Sequence, residues 1–144
     1  MKTQRNPQYL VQKTETEWKA ILSPEAYHVL RKKGTEPPGT GQYNHFFEKG
    51  HYRCKACGEI LFDSESKFDI HCGWSSFDKE IKSKKILKQI DTSHGIDRTE
   101  ILCDYCGSHL GHLFNDGPTE TGLRYCVNSL SLDFEYDEKK SPFI

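Results

Sequence analysis

Two short units with the same pattern, Cys-x-x-Cys-Gly at residues 54–58 and 103–107, constrain the fold of this chain more than any other feature. A tight turn closed by glycine points two thiolates at one cation, and two such turns supply the four sulfur ligands of a closed tetrahedral Zn²⁺ site. Because the two units are far apart in the chain, the fold must bring them together. The pattern predicts one structural zinc ion, held by Cys54, Cys57, Cys103 and Cys106.

Two other interpretations of these four cysteines stay open. A single Cys-x-x-Cys pair can be a redox dithiol, but that motif usually belongs to a βαβ unit, which the chain does not show. Four thiolates can also hold an iron–sulfur centre, although nothing in the sequence favours one. Structural zinc is therefore the preferred interpretation.

Composition limits the classes of protein to be considered. The 144 residues fit one domain, which can bury roughly 68–70% of its unfolded surface. Twenty basic and twenty-one acidic residues give a net charge of −1, which argues against a nucleic-acid partner. Neither a signal-peptide h-region nor an apolar membrane span is present. A cytoplasmic, monomeric protein is expected, and in a reducing compartment six cysteines indicate metal or redox chemistry.

The beginning of the chain is expected to be helical. Residues 1–15 read as a flexible tail, followed by a single zinc-containing catalytic domain over residues 16–144. Ser23 can cap a helix, Pro24 suits its first position, and Gly34 is placed to end it. Four apolar residues have roughly the spacing of one helical face: Trp18, Ile21, Tyr27 and Leu30.

From residue 51 onward the pattern changes to short strands and turns, which predicts an antiparallel β domain. A hairpin turn through Ser93-His94-Gly95 is expected between two of the strands, and a turn rich in glycine and threonine precedes the last strand. The predicted strands cover residues 52–54, 60–62, 85–90, 96–102, 109–114 and 123–136.

Cys126 lies between Arg124 and Asn128 in a segment that alternates like a strand, so these three side chains should share one face. The strand alone favours an inert core thiol, because free cysteine is often buried. Once zinc takes four cysteines, however, Cys126 and Cys72 are left over. Cys72 is in a segment that reads as a loop, which suits either a resolving thiol that condenses with a sulfenic acid or a spectator.

His109 and His112 follow directly on the second cysteine unit. A zinc turn would fix their backbone, which favours a role as acid or base. Histidines in such places are also often ordinary hydrogen-bonding residues, and spacing alone does not decide between the two.

Nine short motifs occur in chain order and give the sequence a family resemblance. They are Gly34-Thr-Glu36, Cys54-x-x-Cys57, Ser66-Lys-Phe-Asp69, Gly73-Trp74-x-Ser-Phe77, Arg98-Thr-Glu100, Cys103-x-x-Cys106, His109-Leu-Gly-His112, Asp116-Gly-Pro118 and Arg124-Tyr-Cys-x-Asn-Ser129. Together they resemble the B-type peptide-methionine (R)-S-oxide reductases over residues 18–136.

The resemblance implies a mainly β fold with two antiparallel sheets, of the β-tent or barrel-like kind, a short N-terminal helical segment and a structural four-cysteine zinc site. It implies that Cys126 is the nucleophile and Cys72 the recycling thiol. The implied substrates are proteins or peptides that carry methionine-R-sulfoxide, and the implied reductant is thioredoxin. Neither nucleic acid nor membrane is expected as a partner.

A mechanism follows as a hypothesis. The Cys126 thiolate attacks the sulfoxide sulfur, and Arg124 and the histidines are expected to lower the pKa of Cys126. His112 is the first choice for the acid that protonates the sulfoxide oxygen, and His109 is the second. Asn128 is expected to orient that oxygen or the acid.

The remaining predicted roles concern the pocket and the second half of the cycle. Trp74 offers a flat apolar wall for the S-methyl group, and Asp116 is expected to fix a histidine tautomer. The sulfenic acid of Cys126 then condenses with Cys72 to a disulfide. Because no Gly-x-Gly-x-x-Gly unit suggests a nicotinamide or flavin site, the electrons must come from an external dithiol.

The sequence departs from the usual family pattern in two places. Ser75 stands where proline is usual, and Pro38-Gly39 replaces a stretch that often carries an aromatic residue. Both are expected to loosen the pocket or the Cys72 loop.

Two rival functions are a zinc-stapled binding domain and hydrolysis at the metal. Hydrolysis is disfavoured because four-cysteine zinc leaves no position for water.

Overall fold

The computed structural model describes residues 9–82, 84–93 and 95–137. Within these ranges, two short helices precede nine strands, and two 3₁₀ turns cover Ser64–Ser66 and Ser129–Ser131. The elements are α1 (Glu15–Ile21), α2 (Pro24–Lys32), β1 (Gly50–Cys54), β2 (Ile60–Asp63), β3 (Lys67–Phe68), β4 (Ser75–Phe77), β5 (Ile86–Asp91), β6 (Arg98–Cys103), β7 (His109–Phe114), β8 (Arg124–Val127) and β9 (Leu132–Tyr136).

The strands form two antiparallel sheets. The smaller has the order β2-β1-β9, and the larger has the order β3-β4-β8-β7-β6-β5. This confirms the predicted mainly β fold with two sheets. In the described residues the larger sheet stays open, with β3 and β5 as its edges, so it does not close into a barrel.

Aromatic rings fill the space between the two sheets. Phe62 from β2 stacks on Phe77 from β4 with ring centroids 4.2 Å apart. Tyr52 from β1 meets Phe77 edge-on at 5.1 Å and Phe134 from β9 at 5.0 Å. Such edge-to-face pairs add to the free energy gained by burying the rings, so the core is specified largely by aromatic packing.

Helix α2 begins as predicted, because the Ser23 hydroxyl accepts the N–H of Ala26 at 3.1 Å and Pro24 follows it. It ends one residue earlier than predicted. Lys33, not Gly34, takes the left-handed conformation, with φ at 60°. The ring of the exposed His28 lies over Gly34, where a Cβ would come within 2.2 Å of its Cδ2, so a larger residue there would require that side chain to move.

Helix α1 was not predicted, and it begins within the segment expected to be a tail. A capping box between Thr14 and Glu17 starts it, and the Val11 N–H donates to the Tyr105 carbonyl at 2.8 Å. Residues 1–8 of the predicted tail lie outside the described residues. The chain is extended at Leu22, so residues 18–30 are not one helix, and Ile21 is exposed while Trp18 is buried.

No described helix is long and apolar enough to cross a membrane.

The segment at 123–136, predicted as one strand, is two strands in different sheets. A 3₁₀ turn at Ser129–Ser131 carries the chain from β8 to β9. The buried carboxylate of Glu36 accepts the N–H groups of Ser129 and Leu130, each at 3.0 Å. The alternation itself marks this crossing, because its apolar positions move from 125 and 127 to 130, 132, 134 and 136, and the prediction of one strand overlooked this shift.

The other predicted strands correspond to β1, β2, β5, β6 and β7, with small shifts at their ends. His94 of the predicted hairpin turn lies outside the described residues. Strands β3 and β4 were missed because two or three residues are too few to show a period of two.

Gly111 allows β7 and β8 to lie close together, since a Cβ there would lie 1.9 Å from the Cys126 carbonyl oxygen. We predict that Gly111→Ala lowers the free energy of unfolding by about 2–3 kcal/mol, because the strands must separate. Urea denaturation measures this loss. The control is Gly122→Ala, where φ is 70° but no atom lies within 4 Å of the new Cβ, so about 1 kcal/mol is expected. Equal losses would contradict the steric explanation.

Candidate functional site

The four cysteines of the two Cys-x-x-Cys units converge. Their sulfur atoms all lie within 4.8 Å of one another, with Cys54 and Cys106 3.7 Å apart and Cys57 and Cys103 3.6 Å apart. A tetrahedron with Zn–S bonds of about 2.3 Å has edges of about 3.8 Å. The sulfur spacing therefore fits a tetrahedral metal site with four thiolate ligands.

The two cysteine turns have the same construction, which explains why they face one another symmetrically. Gly58 and Gly107 both take positive φ, at 86° and 78°. Their N–H groups donate to the carbonyls of Cys54 and Cys103, both at 2.8 Å. Cys54 ends β1 and Cys103 ends β6, so the cluster joins the end of one sheet to the end of the other.

The N-terminal helices are attached to the second cysteine turn. Nη1 of Arg31 donates to the Cys106 carbonyl at 2.9 Å and to the Ser108 hydroxyl at 3.0 Å. The same guanidinium lies 4.6 Å from the ring centroid of Trp18. The Arg31 guanidinium, held between a buried indole and a backbone carbonyl, fixes the helices relative to the four-cysteine cluster.

A cavity of about 200 Å³ contains the two remaining cysteines. Cys126 on β8 lies directly opposite Ser76 on β4 and His112 on β7, so a strand on either side places a polar group beside its sulfur. Six of the predicted site residues line this cavity: Cys72, Trp74, His112, Arg124, Cys126 and Asn128. Four lining residues were not given roles from the sequence: Thr35, Arg98, Gly111 and Phe114.

Cys72 approaches Cys126 from the loop before β4. Its sulfur lies 3.4 Å from the Ser76 hydroxyl, the neighbour of Cys126 across the strands. Nη1 of Arg124 donates to the same sulfur at 3.7 Å. The loop position predicted for Cys72 is confirmed, and the two thiols share one cavity.

Both departures from the family pattern lie at positions that contact this loop or the strand after it. The carbonyl of Gly73 accepts the Gly39 N–H and the Asn44 side-chain amide, both at 2.8 Å. Pro38 lies against Gly73, where a Cβ would come within 2.8 Å of it. Ser75 is buried at the start of β4, where its hydroxyl lies 3.4 Å from that of Ser129. The segment containing Pro38 therefore holds the loop in place.

The electrostatics of Cys126 differ from the prediction. Burial, together with the adjacent Cys72 sulfur, raises the pKa of Cys126 to about 12. Arg124 lowers this pKa but does not compensate for burial. The lowered pKa expected from the sequence is wrong for the resting site, because a half-buried sulfur loses more hydration than one guanidinium replaces. The resting Cys126 is a thiol at neutral pH.

His112 is held by a residue that the sequence did not identify. Its Nε2 lies 2.8 Å from Oδ2 of Asp91 on β5. Hydrogen bonds from Ser93 and His112 hold the pKa of Asp91 well below its usual range. Burial lowers the pKa of His112, and Asp91 only partly opposes this. A neutral imidazole that donates Nε2–H to a carboxylate leaves Nδ1 as the proton acceptor.

The structure does not place His109 in the Cys126 cavity. Its buried Nδ1 lies 2.7 Å from Oε2 of Glu100, which Lys33 also binds at 2.8 and 2.9 Å. These residues line a neighbouring cavity of about 320 Å³. Burial opposes ionisation of Glu100, but the bonds from His109 and Lys33 lower the pKa of Glu100 to about 2. His109 is thus one of the partners of the buried Glu100 carboxylate, together with Lys33.

Asp116 does not contact a histidine. Its two oxygens accept from Nε and Nη2 of Arg124 at 2.8 and 3.1 Å, and its side chain is 60% exposed. The predicted role of fixing a histidine tautomer is filled by Asp91. Asp116 instead positions the guanidinium that reaches Cys72.

Glu36 organises two walls of the cavity. Its N–H donates to Oδ1 of Asn128 at 3.0 Å, and its carbonyl accepts Nε1–H of Trp74 at 3.0 Å. The amide nitrogen of Asn128 donates to the Leu110 carbonyl at 3.0 Å. Asn128 therefore lines the cavity with its amide already held by the backbone. The only sequence signal for Glu36 was its place in the Gly34-Thr-Glu36 motif.

Comparisons with known proteins agree with this arrangement. The family model for the SelR domain matches residues 22–136. A peptide methionine sulfoxide reductase MsrB from Acinetobacter baylyi is 56% identical over 127 residues, which cover 88% of this chain and 91% of that protein.

Further relatives carry the same name. The MsrB of Methanosarcina barkeri is 52% identical over 132 residues, covering 92% of this chain and 93% of the relative. That of Chromohalobacter salexigens is 54% identical over 129 residues, covering 89% and 97%. With a family match over most of its length and relatives more than half identical to it, the chain belongs to the SelR domain family, together with these MsrB proteins.

Proposed function

We propose that this protein reduces methionine sulfoxide in proteins to methionine by thiol chemistry, and so repairs oxidised proteins. The observation that carries the proposal is the single cavity in which Cys72 and Cys126, neither of them in the metal cluster, lie beside Trp74 and His112. The names of the relatives support the same reaction. The R epimer is the substrate we propose, because each epimer has its own enzyme class and the motifs resemble the B type.

Substrate binding requires an apolar surface for the S-methyl group beside polar groups for the oxygen. The indole of Trp74 provides the apolar surface, and its Nε1–H bond to Glu36 fixes the ring plane. Sulfur–aromatic contacts contribute about 0.3–1.5 kcal/mol. The sulfoxide oxygen then lies toward His112 and Asn128.

The first chemical step transfers oxygen from the substrate to Cys126. The sulfur of Cys126 attacks the sulfoxide sulfur, and the oxygen finishes on Cys126 as a sulfenic acid while methionine leaves. Cys126 is oxidised, the sulfoxide is reduced, and the thiol proton ends on the oxygen. Since the resting thiol is protonated, His112 can accept its proton at Nδ1 and deliver it to that oxygen.

The second step regenerates the enzyme in two parts. Cys72 attacks the sulfenic acid, an S–S bond forms to Cys126, and the hydroxyl leaves as water with the Cys72 proton. The disulfide is then reduced by an external dithiol, for which we propose thioredoxin. Such a cycle needs a reducing compartment, so we propose that the protein acts in the cytoplasm. One chain supplies every residue of the cavity, so a monomer suffices.

We further propose that the four-cysteine cluster holds one zinc ion. When bound, zinc cross-links the ends of β1 and β6, and a closed set of four thiolates leaves no position for substrate. Cys54, Cys57, Cys103 and Cys106 are thus structural ligands, and the redox chemistry is confined to the other two cysteines.

Separate substitutions of the two redox cysteines test the reaction. We predict that Cys126→Ser lowers turnover of a methionine-R-sulfoxide peptide by at least about a thousandfold. Cys72→Ser should still release one methionine per chain but lose cycling with thioredoxin. Product release is measured by chromatography under single and multiple turnover. Turnover by Cys126→Ser would refute the proposal, and unchanged cycling by Cys72→Ser would make Cys72 a bystander.

The pH dependence of alkylation tests the state of Cys126. Because the thiolate is the reactive form, a pKa raised to about 12 makes the rate rise about tenfold per pH unit without a plateau up to pH 10. The rate of iodoacetamide addition at Cys126 is measured by mass mapping of the Cys126 peptide in the unsubstituted protein, because Cys72 contributes to the raised pKa. Arg124→Gln should slow the reaction further, since it removes the cation that lowers this pKa. A plateau below pH 9 would contradict the burial effect.

Metal content tests the four-cysteine site. We predict about one zinc ion per chain, measured by atomic absorption, and its loss in Cys57→Ser together with a lower Tm, because metal binding stabilises the fold. Cys72→Ser is the matched control, as it removes a half-buried cysteine outside the cluster, and it should keep its zinc. Iron in place of zinc, or equal zinc in both variants, would overturn the assignment.

A further inference from the structure

A second concave surface adjoins the Cys126 cavity and has no part in the reaction described above. It has a volume of about 430 Å³. We call it the flanking groove and define it by the four apolar side chains that line it: Ile96, Leu113, Phe114 and Leu123.

The flanking groove has a fixed floor and one exposed wall. Leu113 and Leu123 are partly buried and pack against the core, and Leu113 lies opposite Thr99 on β6 and Tyr125 on β8. Ile96 is 64% exposed. The exposed Ile96 and its three apolar neighbours thus form a concave apolar surface. A ligand side chain could cover this surface.

The flanking groove lies next to the Cys126 cavity and shares two lining residues with it. Phe114 and Arg98 line both of them. The Phe114 ring is held by the Arg124 guanidinium, 4.5 Å from its centroid, and Arg124 is fixed in turn by Asp116. Consecutive Cα atoms are about 3.8 Å apart. When a methionine sulfoxide fills the Cys126 cavity, the adjacent residue of the substrate peptide is therefore the one placed to enter the flanking groove past these shared side chains.

The charges around the flanking groove favour an apolar occupant over an acidic one. Nη2 of Arg98 is paired with Asp91 at 3.3 Å, so its charge is partly neutralised. The exposed Asp97 lines the groove and adds a negative charge. An acidic side chain entering here would lose hydration and meet a like charge.

We propose that the flanking groove binds the apolar side chain of a residue adjacent to the oxidised methionine in a polypeptide substrate. The groove thereby makes the protein faster on methionine sulfoxides that have an apolar neighbour. This inference rests on the proposed reduction of methionine sulfoxide and specifies its substrate class.

Peptides that differ only in the neighbouring residue test the proposal. Glycine, leucine or aspartate is placed on either side of methionine-R-sulfoxide, and kcat/KM is measured with the full chain and a dithiol reductant. We expect leucine to exceed glycine about tenfold on one side, from burial of its side chain, and aspartate to fall below glycine on that side.

Two variants locate the effect. Ile96→Ser should reduce the leucine-to-glycine ratio at least threefold, while its rate on the glycine peptide stays unchanged. The matched control is Ile90→Ser, an isoleucine 67% exposed on the neighbouring strand β5, which lines the polar cavity of Lys33 and Glu100 and not the flanking groove. It should keep the full ratio.

The outcomes separate this inference from the reaction on which it rests. Equal kcat/KM for leucine and glycine peptides on both sides, with normal turnover, overturns the flanking groove and leaves the reaction standing. An unchanged ratio in Ile96→Ser also overturns the groove. Absence of turnover on every sulfoxide peptide overturns the proposed reaction and the groove with it.

Discussion

The convergence of four cysteine sulfurs is the constraint on which the rest of the structure depends. Cys54 ends β1 of the small sheet and Cys103 ends β6 of the large one, so a bound metal ion joins two layers that otherwise meet through aromatic packing. Strand β6 pairs with β7, and β7 pairs with β8, which carries Cys126. An ion in this cluster would therefore hold Cys126, the proposed nucleophile, in position through three successive strands, without a part in the proposed chemistry.

The second organising element is the buried carboxyl group of Glu36. Burial raises its pKa, while the N–H groups of Ser129 and Leu130 partly offset that effect. Its backbone holds Asn128 and Trp74, and its side chain closes the turn that follows β8. One residue from the connection after α2 thus orients two cavity walls that lie far from it in the chain. The Cys126 cavity is built mainly on strands and is completed by this connection.

Local patterns in the sequence predicted those features that depend on spacing alone. The cysteine turns, the cap at Ser23 and the hairpin of β1 and β2 each follow from a few adjacent residues. The pairing of His112 with Asp91 depends on a contact between distant segments, so no periodicity reveals it. The crossing between β8 and β9 coincides with a shift in the alternation, which the prediction of one strand overlooked. The pKa of Cys126 also depends on the whole fold, because it is set by how much water the fold removes from the sulfur. The proximity of Arg124 in the sequence predicted a lowered pKa, whereas the pKa is raised.

In the proposed reaction a proton must reach the sulfoxide oxygen. A protonated resting Cys126 beside a neutral His112 means that this proton is already in the cavity. The central claim is that Cys126 and Cys72, and none of the cluster cysteines, carry the electrons. Reduced protein given one equivalent of methionine-R-sulfoxide, then alkylated and mapped by mass spectrometry, tests this directly. We predict a single disulfide between Cys72 and Cys126, with Cys54, Cys57, Cys103 and Cys106 unbridged. A disulfide that includes any of those four, or methionine formed with no disulfide, would contradict it.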